Sequence, residues 1–388
     1  MNFPLATSSW GEEEIEALQK VISSNRFTMG AKVAAYEKSF ADFFGSKYAV
    51  MVNSGSSANL AAIAALRFHS QYHINEGDEV IVPGVSWSTT YHPLQQYGLK
   101  LKFVDIDIDT LNFDLAKLAE AISPKTKLIF AVNLLGNPND FEQINKLISG
   151  TDIILIEDNC ESMGSQVNGQ FTGTFGLMGT FSSFFSHHIS TMEGGMVVTN
   201  DEEMYHILKS VRAHGWTRDL PDTSKIYNKQ ADQFFESFNF ILPGYNLRPL
   251  EMSGAIGIEQ IKKLRGFVDQ RRANANQFKK VLSSFDQVKT QKEIGSSSWF
   301  GFSLILNDSE IRNQLVKALD NANIDVRPIV AGNFVRNKVI QYYDYTIHGE
   351  LTNCDIIHDC GLFVGNHQED LRDQIDYLGE CLHKFFKD

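Results

Sequence analysis

Residues 48–66 read YAVMVNSGSSANLAAIAAL, an apolar run of strand length followed by a glycine-containing turn and a helical pattern. Apolar runs recur at 79–83, 101–107, 127–135 and 153–158, and amphipathic stretches separate them. Repeated strand–helix units of this kind predict a mainly parallel sheet with helices on both faces. The predicted fold class is therefore α/β.

The second half of the chain follows a different pattern. Residues 252–285 form a long helix-periodic stretch with a basic face, and the segments beyond it mix strand-like and helical patterns. We predict a large α/β domain over residues 1–248 and a smaller C-terminal α+β domain over residues 249–388, linked by this long helix.

Composition excludes several classes of function. The chain has 388 residues, 35 Lys and Arg against 47 Asp and Glu, and a formal charge of −12. This acidic balance, without a basic block, argues against a general nucleic-acid or membrane-surface binder. The sequence has no secretory signal and no apolar run of membrane-spanning length, so we expect a cytoplasmic protein. The four cysteines lack metal-ligand spacing, and we expect no metal site.

A first candidate site lies at residues 53–59, NSGSSAN, between a predicted strand and a predicted helix. Free backbone N–H groups at a helix N-terminus, with small hydroxyl residues beside them, favour phosphate binding. The alternative is a plain capped helix.

A second candidate site is the acidic segment 157–162, EDNCES, directly after the apolar run at 153–156. Ligands collect at the carboxyl ends of parallel strands, so carboxylates are well placed there to bind one. Such a carboxylate can keep a ring nitrogen of a heterocyclic cofactor protonated. The alternative is an acid that only caps a helix.

A third candidate is the segment 181–195, FSSFFSHHISTMEGG, which contains His187 and His188. We predict a strand over residues 179–188, in which the two histidine side chains point to opposite faces, so at most one of them is functional. The alternative for either histidine is an ordinary buried or surface residue.

Five segments in order resemble the nucleotide-sugar aminotransferase family: SGSSAN (54–59), PGVSWSTT (83–90), EDNCES (157–162), FSSFFSHHISTMEGG (181–195) and GYNLRP (244–249). The resemblance implies the fold type I aminotransferase architecture, in which a large domain binds pyridoxal 5′-phosphate and a small C-terminal domain follows.

One position departs from the family pattern. Members normally place the lysine that bonds to the cofactor six residues before the Glu of EGG, and here that position is His187; no lysine occurs from 147 to 208. An imidazole has no primary amine, so we expect pyridoxal or pyridoxamine 5′-phosphate to bind non-covalently. An imidazole can still accept a proton, and we predict that His187 is the catalytic base.

The change from lysine to histidine at this position resembles the deoxygenating branch of the family. It implies removal of the C3 hydroxyl from a GDP-linked 4-keto-6-deoxyhexose, with L-glutamate as amine donor and 2-oxoglutarate and ammonia as products. Three alternatives remain at this point: a sugar aminotransferase, a reductase-dependent dehydratase of a CDP-sugar, and a non-catalytic sugar- or cofactor-binding regulator. The scattered cysteines argue against the second, because it would need ligands for an iron–sulfur cluster.

The resemblance assigns six side chains to the cofactor, three at its phosphate and three at its ring. Those at the phosphate are Ser56, Ser57 and Ser182. Those at the ring are Trp87, which would stack on it, Asp158, which would pair with the ring nitrogen, and Glu161, which would lie beside the ring hydroxyl.

Three further residues extend the expected site. Asn246 resembles the position that reaches the phosphate of the partner subunit's cofactor, which implies a homodimer with shared active sites. His214 and Arg218 resemble positions that contact the sugar or its phosphates. For His188 we expect a structural role.

Overall fold

The computed structural model describes residues 1–387. Its helices are α1 (Glu12–Ser24), α2 (Ala31–Phe44), α3 (Gly55–Leu66), α4 (Ser88–Gln96), α5 (Leu115–Ala121), α6 (Phe141–Ile148), α7 (Glu202–Arg212), α8 (Gln233–Glu236), α9 (Glu251–Leu282), α10 (Ser309–Asn321), α11 (Thr352–Cys360) and α12 (Arg372–Lys387). Short 3₁₀ turns occur at Leu134–Gly136, Phe334–Arg336 and Lys338–Tyr342.

The strands are β1 (Tyr48–Val52), β2 (Glu79–Pro83), β3 (Lys100–Val104), β4 (Thr126–Val132), β5 (Ile154–Asp158), β6 (Gln166–Val167), β7 (Gln170–Phe171), β8 (Met178–Ser182), β9 (Gly195–Thr199), β10 (Val288–Lys289), β11 (Gly301–Leu306), β12 (Val326–Arg327), β13 (Tyr345–Ile347) and β14 (Gly361–Gly365).

The main sheet has eight strands in the order β1-β9-β8-β5-β4-β2-β3-β13. Every neighbouring pair from β8 to β13 is parallel, whereas β9 runs antiparallel to both β1 and β8. The predicted mainly parallel α/β fold is confirmed.

The apolar runs form the interior of this sheet because both of its faces are covered. In β4, Leu128 and Phe130 belong to the hydrophobic core on one face, and Ile129 and Ala131 belong to the core on the other. Successive residues of a strand point to opposite faces, so a strand covered on both sides needs continuous apolar residues.

A second sheet, β10-β11-β14-β12, is antiparallel and packs with α9, α10 and α12 around a separate core. Helix α9, expected over residues 252–285, runs from Glu251 to Leu282 and contacts α1, α2 and α12. Two segments cross the predicted division at residue 248: β13 joins the main sheet, and Phe3 packs in the core of the second sheet. The division into domains stays a prediction.

The expectation of a strand at the two histidines is wrong. Strand β8 ends at Ser182, and residues 183–194 form a loop that returns to β9. Within residues 1–387, no helix has the length and apolar character needed to cross a membrane.

Candidate active site

A cavity of about 840 Å³ lies at the carboxyl ends of the central strands. Its wall includes Val132 at the end of β4, Asp158 at the end of β5 and Ser182 at the end of β8. Parallel sheets bind ligands at this edge. The cavity brings together six of the predicted site residues, which are Ser56, Trp87, Asp158, Glu161, Ser182 and His187.

Helix α3 begins at one end of the cavity. The Ser54 hydroxyl accepts a hydrogen bond from the Ser57 N–H (3.0 Å), so Ser54 caps the helix. Gly55 and Ser56 line the cavity, and their N–H groups precede the first intrahelical bond, which leaves them available to an anion. Ser56 shares a 2.9 Å hydrogen bond with Thr89, whereas Ser57 does not line the cavity.

Gly55 is required by the close approach of α3 to β8. A Cβ atom built at Gly55 would lie 2.5 Å from the Ser182 Cβ and 3.0 Å from the Ser182 Oγ. The absent side chain lets the Ser182 hydroxyl lie directly beside the helix N-terminus. Ser182 therefore contributes to this end of the cavity from the opposite side, and its contact with the phosphate stays a prediction.

The Asp158 carboxylate is fixed in orientation. Its Oδ2 atom accepts hydrogen bonds from the Asn59 amide (2.8 Å) and the Thr90 hydroxyl (2.7 Å), and its Oδ1 atom accepts one from the Cys160 N–H (3.2 Å). The Thr180 hydroxyl donates to the Asn59 Oδ1 atom (2.6 Å) and so orients that amide. The carboxylate is held where it can meet a ligand in the cavity.

Sequence reasoning missed Asn59 and Thr90, although both fall inside quoted motifs. For Asn59 the available signal was its polar side chain within the apolar helix α3, since a buried amide needs a partner. The mostly polar sequence of α4 gave no such signal for Thr90. Here that partner is Asp158, on a third element of the fold.

Trp87 precedes α4 and lines the cavity with 58% of its surface exposed. This exposure excludes a core position for Trp87. Its ring offers an open aromatic surface against which a flat heterocycle can stack.

Glu161 accepts a hydrogen bond from the Leu135 N–H (3.1 Å) and lines the same cavity. Burial, and to a smaller extent the charge of Asp158, raise its pKa to about 7 against the opposing effect of the Leu135 N–H. At neutral pH this carboxyl can therefore hold or release a proton next to a ligand hydroxyl.

His187 lines the cavity within the loop 183–194. Its ring centroid is 5.2 Å from that of Phe300 and 5.9 Å from that of Phe184, and within residues 1–387 its buried Nδ1 atom has no hydrogen-bond partner. Burial, and then the charge of Arg271, lower its pKa to about 4. The imidazole is consequently neutral at pH 7, the form that accepts a proton.

Arg271 is hydrogen-bonded to the loop 183–194 that contains His187. Arg271 is 1% exposed, and its guanidinium donates to the main-chain carbonyls of Asn366, Phe300 (3.2 Å) and His187 (3.5 Å). His188 is fully buried on the same side, with its Nε2 atom 3.2 Å from the Ser298 carbonyl oxygen. The two histidines therefore occupy different environments even though they lie on a loop and not on a strand.

Besides Ser57, three predicted residues lie outside this cavity. Asn246 is exposed and accepts a 3.0 Å hydrogen bond from Arg248. The Arg218 guanidinium lies 3.7 Å from the ring centroid of Trp216, and the His214 ring also contacts Trp216. Their assigned roles stay predictions, because one protomer alone does not bring them to the site.

These surroundings fit pyridoxal or pyridoxamine 5′-phosphate. The start of α3 provides donors for the phosphate, Trp87 provides a stacking surface, and Asp158 provides an oriented carboxylate for a ring nitrogen. No lysine of the described chain lines the cavity. The residues present can therefore hold the cofactor without a covalent bond.

Comparison with known proteins agrees with this geometry. The model of the DegT/DnrJ/EryC1/StrS aminotransferase family matches residues 8–383. The chain belongs to this family. The predicted resemblance and the aminotransferase-like fold are both confirmed.

Within the DegT/DnrJ/EryC1/StrS family, the chain is similar to GDP-4-keto-6-deoxy-D-mannose 3-dehydratase from Yersinia pseudotuberculosis. The two are 61% identical over 388 residues, which cover 99% of each chain. Crystal structures of GDP-4-keto-6-deoxymannose-3-dehydratase are also similar. One with a trapped PLP–glutamate geminal diamine has a TM-score of 0.97 at 59% identity, covering 98% of this chain and 100% of the other. A histidine-to-asparagine variant with bound GDP-perosamine gives the same values.

Proposed function

We propose that this chain is a pyridoxamine-phosphate-dependent 3-dehydratase of GDP-4-keto-6-deoxy-D-mannose that uses L-glutamate as amine donor. The observation that carries the proposal is His187, which lines a cavity suited to the cofactor where the family's lysine is absent. The 61% identity to a dehydratase of this specificity supports the choice of substrate.

The bound cofactor supplies an amine for the sugar ketone at C4 and a ring that accepts electrons. Asp158 keeps the ring nitrogen protonated, and Trp87 orients the ring by stacking. His187 moves a proton at the cofactor's C4′ carbon, after which the C3 hydroxyl of the sugar leaves. Glutamate provides the two reducing equivalents, so the products are the 3-deoxy ketosugar, 2-oxoglutarate and ammonia.

The proposal includes a homodimer with shared active sites. Asn246, His214 and Arg218 lie outside the cavity of their own protomer, which is the arrangement expected if they serve the partner's cavity. Asn246 would then bind the partner cofactor's phosphate, and His214 and Arg218 would contact the sugar or its phosphates. The cytoplasmic location stays a prediction.

Product analysis tests the proposed reaction. Purified protein is incubated with the cofactor, L-glutamate and GDP-, CDP- or dTDP-linked 4-keto-6-deoxy sugars, and the products are analysed by mass spectrometry. We expect the GDP-sugar to lose one oxygen, with ammonia and 2-oxoglutarate formed in equal amounts. A nitrogen-bearing sugar would indicate an aminotransferase, and cofactor binding without turnover of any sugar would indicate a regulator.

A further inference from the structure

The charge on the cavity wall is strongly unbalanced. Its carboxylates are Asp158, Glu161, Glu193 and Asp325, whereas Arg327 is the only arginine or lysine among the described residues that line it. An acidic wall repels an anionic amino acid unless a fixed cation receives its carboxylates. Building on the proposed function, we propose that Arg327 binds a carboxylate group of the dicarboxylic amino donor, glutamate.

The Arg327 guanidinium is free to take such a ligand. It is exposed, and its single side-chain hydrogen bond within residues 1–387 goes to the Val326 carbonyl (3.0 Å). Asp325, two residues earlier, accepts instead from the Leu5 N–H (3.3 Å). Most of the guanidinium donors therefore remain unused, and their planar arrangement suits two parallel bonds to a carboxylate.

Arg327 is connected to the proposed catalytic base, His187, through a row of aromatic side chains. Arg327 pairs with Phe363 across β12 and β14. The Phe363 ring centroid is 6.4 Å from that of Phe300, which in turn is 5.2 Å from that of His187. A continuous row of aromatic side chains thus joins the strand position opposite Arg327 to the base.

This placement favours the amino donor over the nucleotide as the ligand. Glutamate must present its amino group where His187 works, and its short skeleton keeps both carboxylates near that wall. In the nucleotide sugar, the hexose ring and the glycosidic oxygen separate the diphosphate from the reacting carbons. Arg327 consequently selects the donor, and 2-oxoglutarate leaves from the same contact.

Measuring the two half-reactions separately distinguishes binding of the amino donor from binding of the nucleotide sugar. Wild type, Arg327→Gln, Arg327→Lys and Arg372→Gln are compared. Arg372 is an exposed arginine of α12 that pairs with Asp370, so its variant is the control for loss of a positive charge. Conversion of the pyridoxal form by glutamate is followed by absorbance, and sugar deoxygenation is followed in a single turnover of enzyme loaded with pyridoxamine phosphate. Binding of 2-oxoglutarate to the cofactor-loaded protein is measured by calorimetry.

Arg327→Gln should raise KM for glutamate and Kd for 2-oxoglutarate by about 10- to 100-fold, the range expected for lost charge-assisted hydrogen bonds. It should leave the sugar half-reaction unchanged. Arg327→Lys should be intermediate, because it keeps the charge without the planar fork, and Arg372→Gln should match wild type.

Unchanged 2-oxoglutarate binding in Arg327→Gln would overturn the assignment. A defect confined to the sugar half-reaction would also overturn it and would indicate that Arg327 binds the diphosphate of the sugar nucleotide. If wild-type protein does not convert glutamate at all, the proposed function fails instead. The 2-oxoglutarate titration would still decide the role of Arg327 in that case.

Discussion

His187 acquires its chemistry from its surroundings. The sequence shows a histidine in place of lysine, but burial and the Arg271 guanidinium decide its protonation state. Because the pKa is lowered to about 4, the imidazole is neutral above that pH and can accept a proton throughout the range from 5 to 8. In the proposed reaction Arg271 would act through His187 as a positioning residue, since its only hydrogen bond to that residue goes to the main-chain carbonyl.

Replacing His187 with Asn should abolish both half-reactions. Asparagine fills a similar space but cannot accept a proton near neutral pH, and loss of a general base typically costs about 10²–10⁴-fold in rate. Single-turnover rates of each half-reaction, together with equilibrium binding of pyridoxamine phosphate, measure the effect. We expect binding to persist while both rates fall.

His188→Asn is the matched control, because His188 is fully buried against Ser298 and does not line the cavity. It should retain turnover once folding is verified by circular dichroism. If His188→Asn abolishes proton transfer in a folded protein and His187→Asn does not, the roles of the two histidines are reversed.

The lowered pKa of His187 also predicts the pH dependence of the wild-type rate. Because the imidazole stays neutral, its protonation should not reduce the rate as the pH falls from 8 to 5.

Helix α3 and strand β8 form the proposed phosphate end of the site because their backbones approach closely. Gly55 begins the helix, and Ser182 ends the strand beside it. The cap at Ser54 stops the helix where N–H groups remain free. The relative position of the two elements is therefore part of the binding site.

Gly55→Ala should weaken cofactor binding by about 10-fold or more, since the new methyl group overlaps the Ser182 side chain and overpacking typically costs about 1–3 kcal/mol. A titration of pyridoxamine phosphate followed by fluorescence measures the change. Gly266→Ala in α9 is the control, because nothing lies within 4 Å of its added Cβ atom. That variant should bind the cofactor normally and gain up to about 1 kcal/mol in stability. Equal cofactor affinity of both variants would show that the contact at Gly55 does not position the site.

At the scale of the whole molecule, one protomer provides the proposed ring site of the cofactor but not every predicted contact. Asn246 is exposed, and the segment around Trp216 presents aromatic side chains on the surface, with Phe238 69% and Phe240 53% exposed. This distribution is consistent with a second subunit covering that region, which the proposed homodimer requires.

Mixed dimers test the shared site. Asn246→Asp places a negative charge at the proposed phosphate contact, and His187→Asn removes the base, so each homodimer should be inactive. A heterodimer of the two should regain one intact site, because one cavity receives a wild-type contribution from each chain. Co-expression with two affinity tags, followed by rate measurement on purified heterodimer, gives the result. Heterodimers with no activity above the parents would contradict sharing of the site.

The sequence by itself determined the fold class, because buried parallel strands need continuous apolar runs and the intervening helices need amphipathic ones. It also determined the family and the absence of a lysine six residues before Glu193, since both are properties of local segments. The tertiary structure alone decided the loop at His187, the buried partners of Asp158, and the position of Arg327 in the cavity. Each of these depends on residues far apart in the chain, and their burial and charge exist only after the elements have packed together.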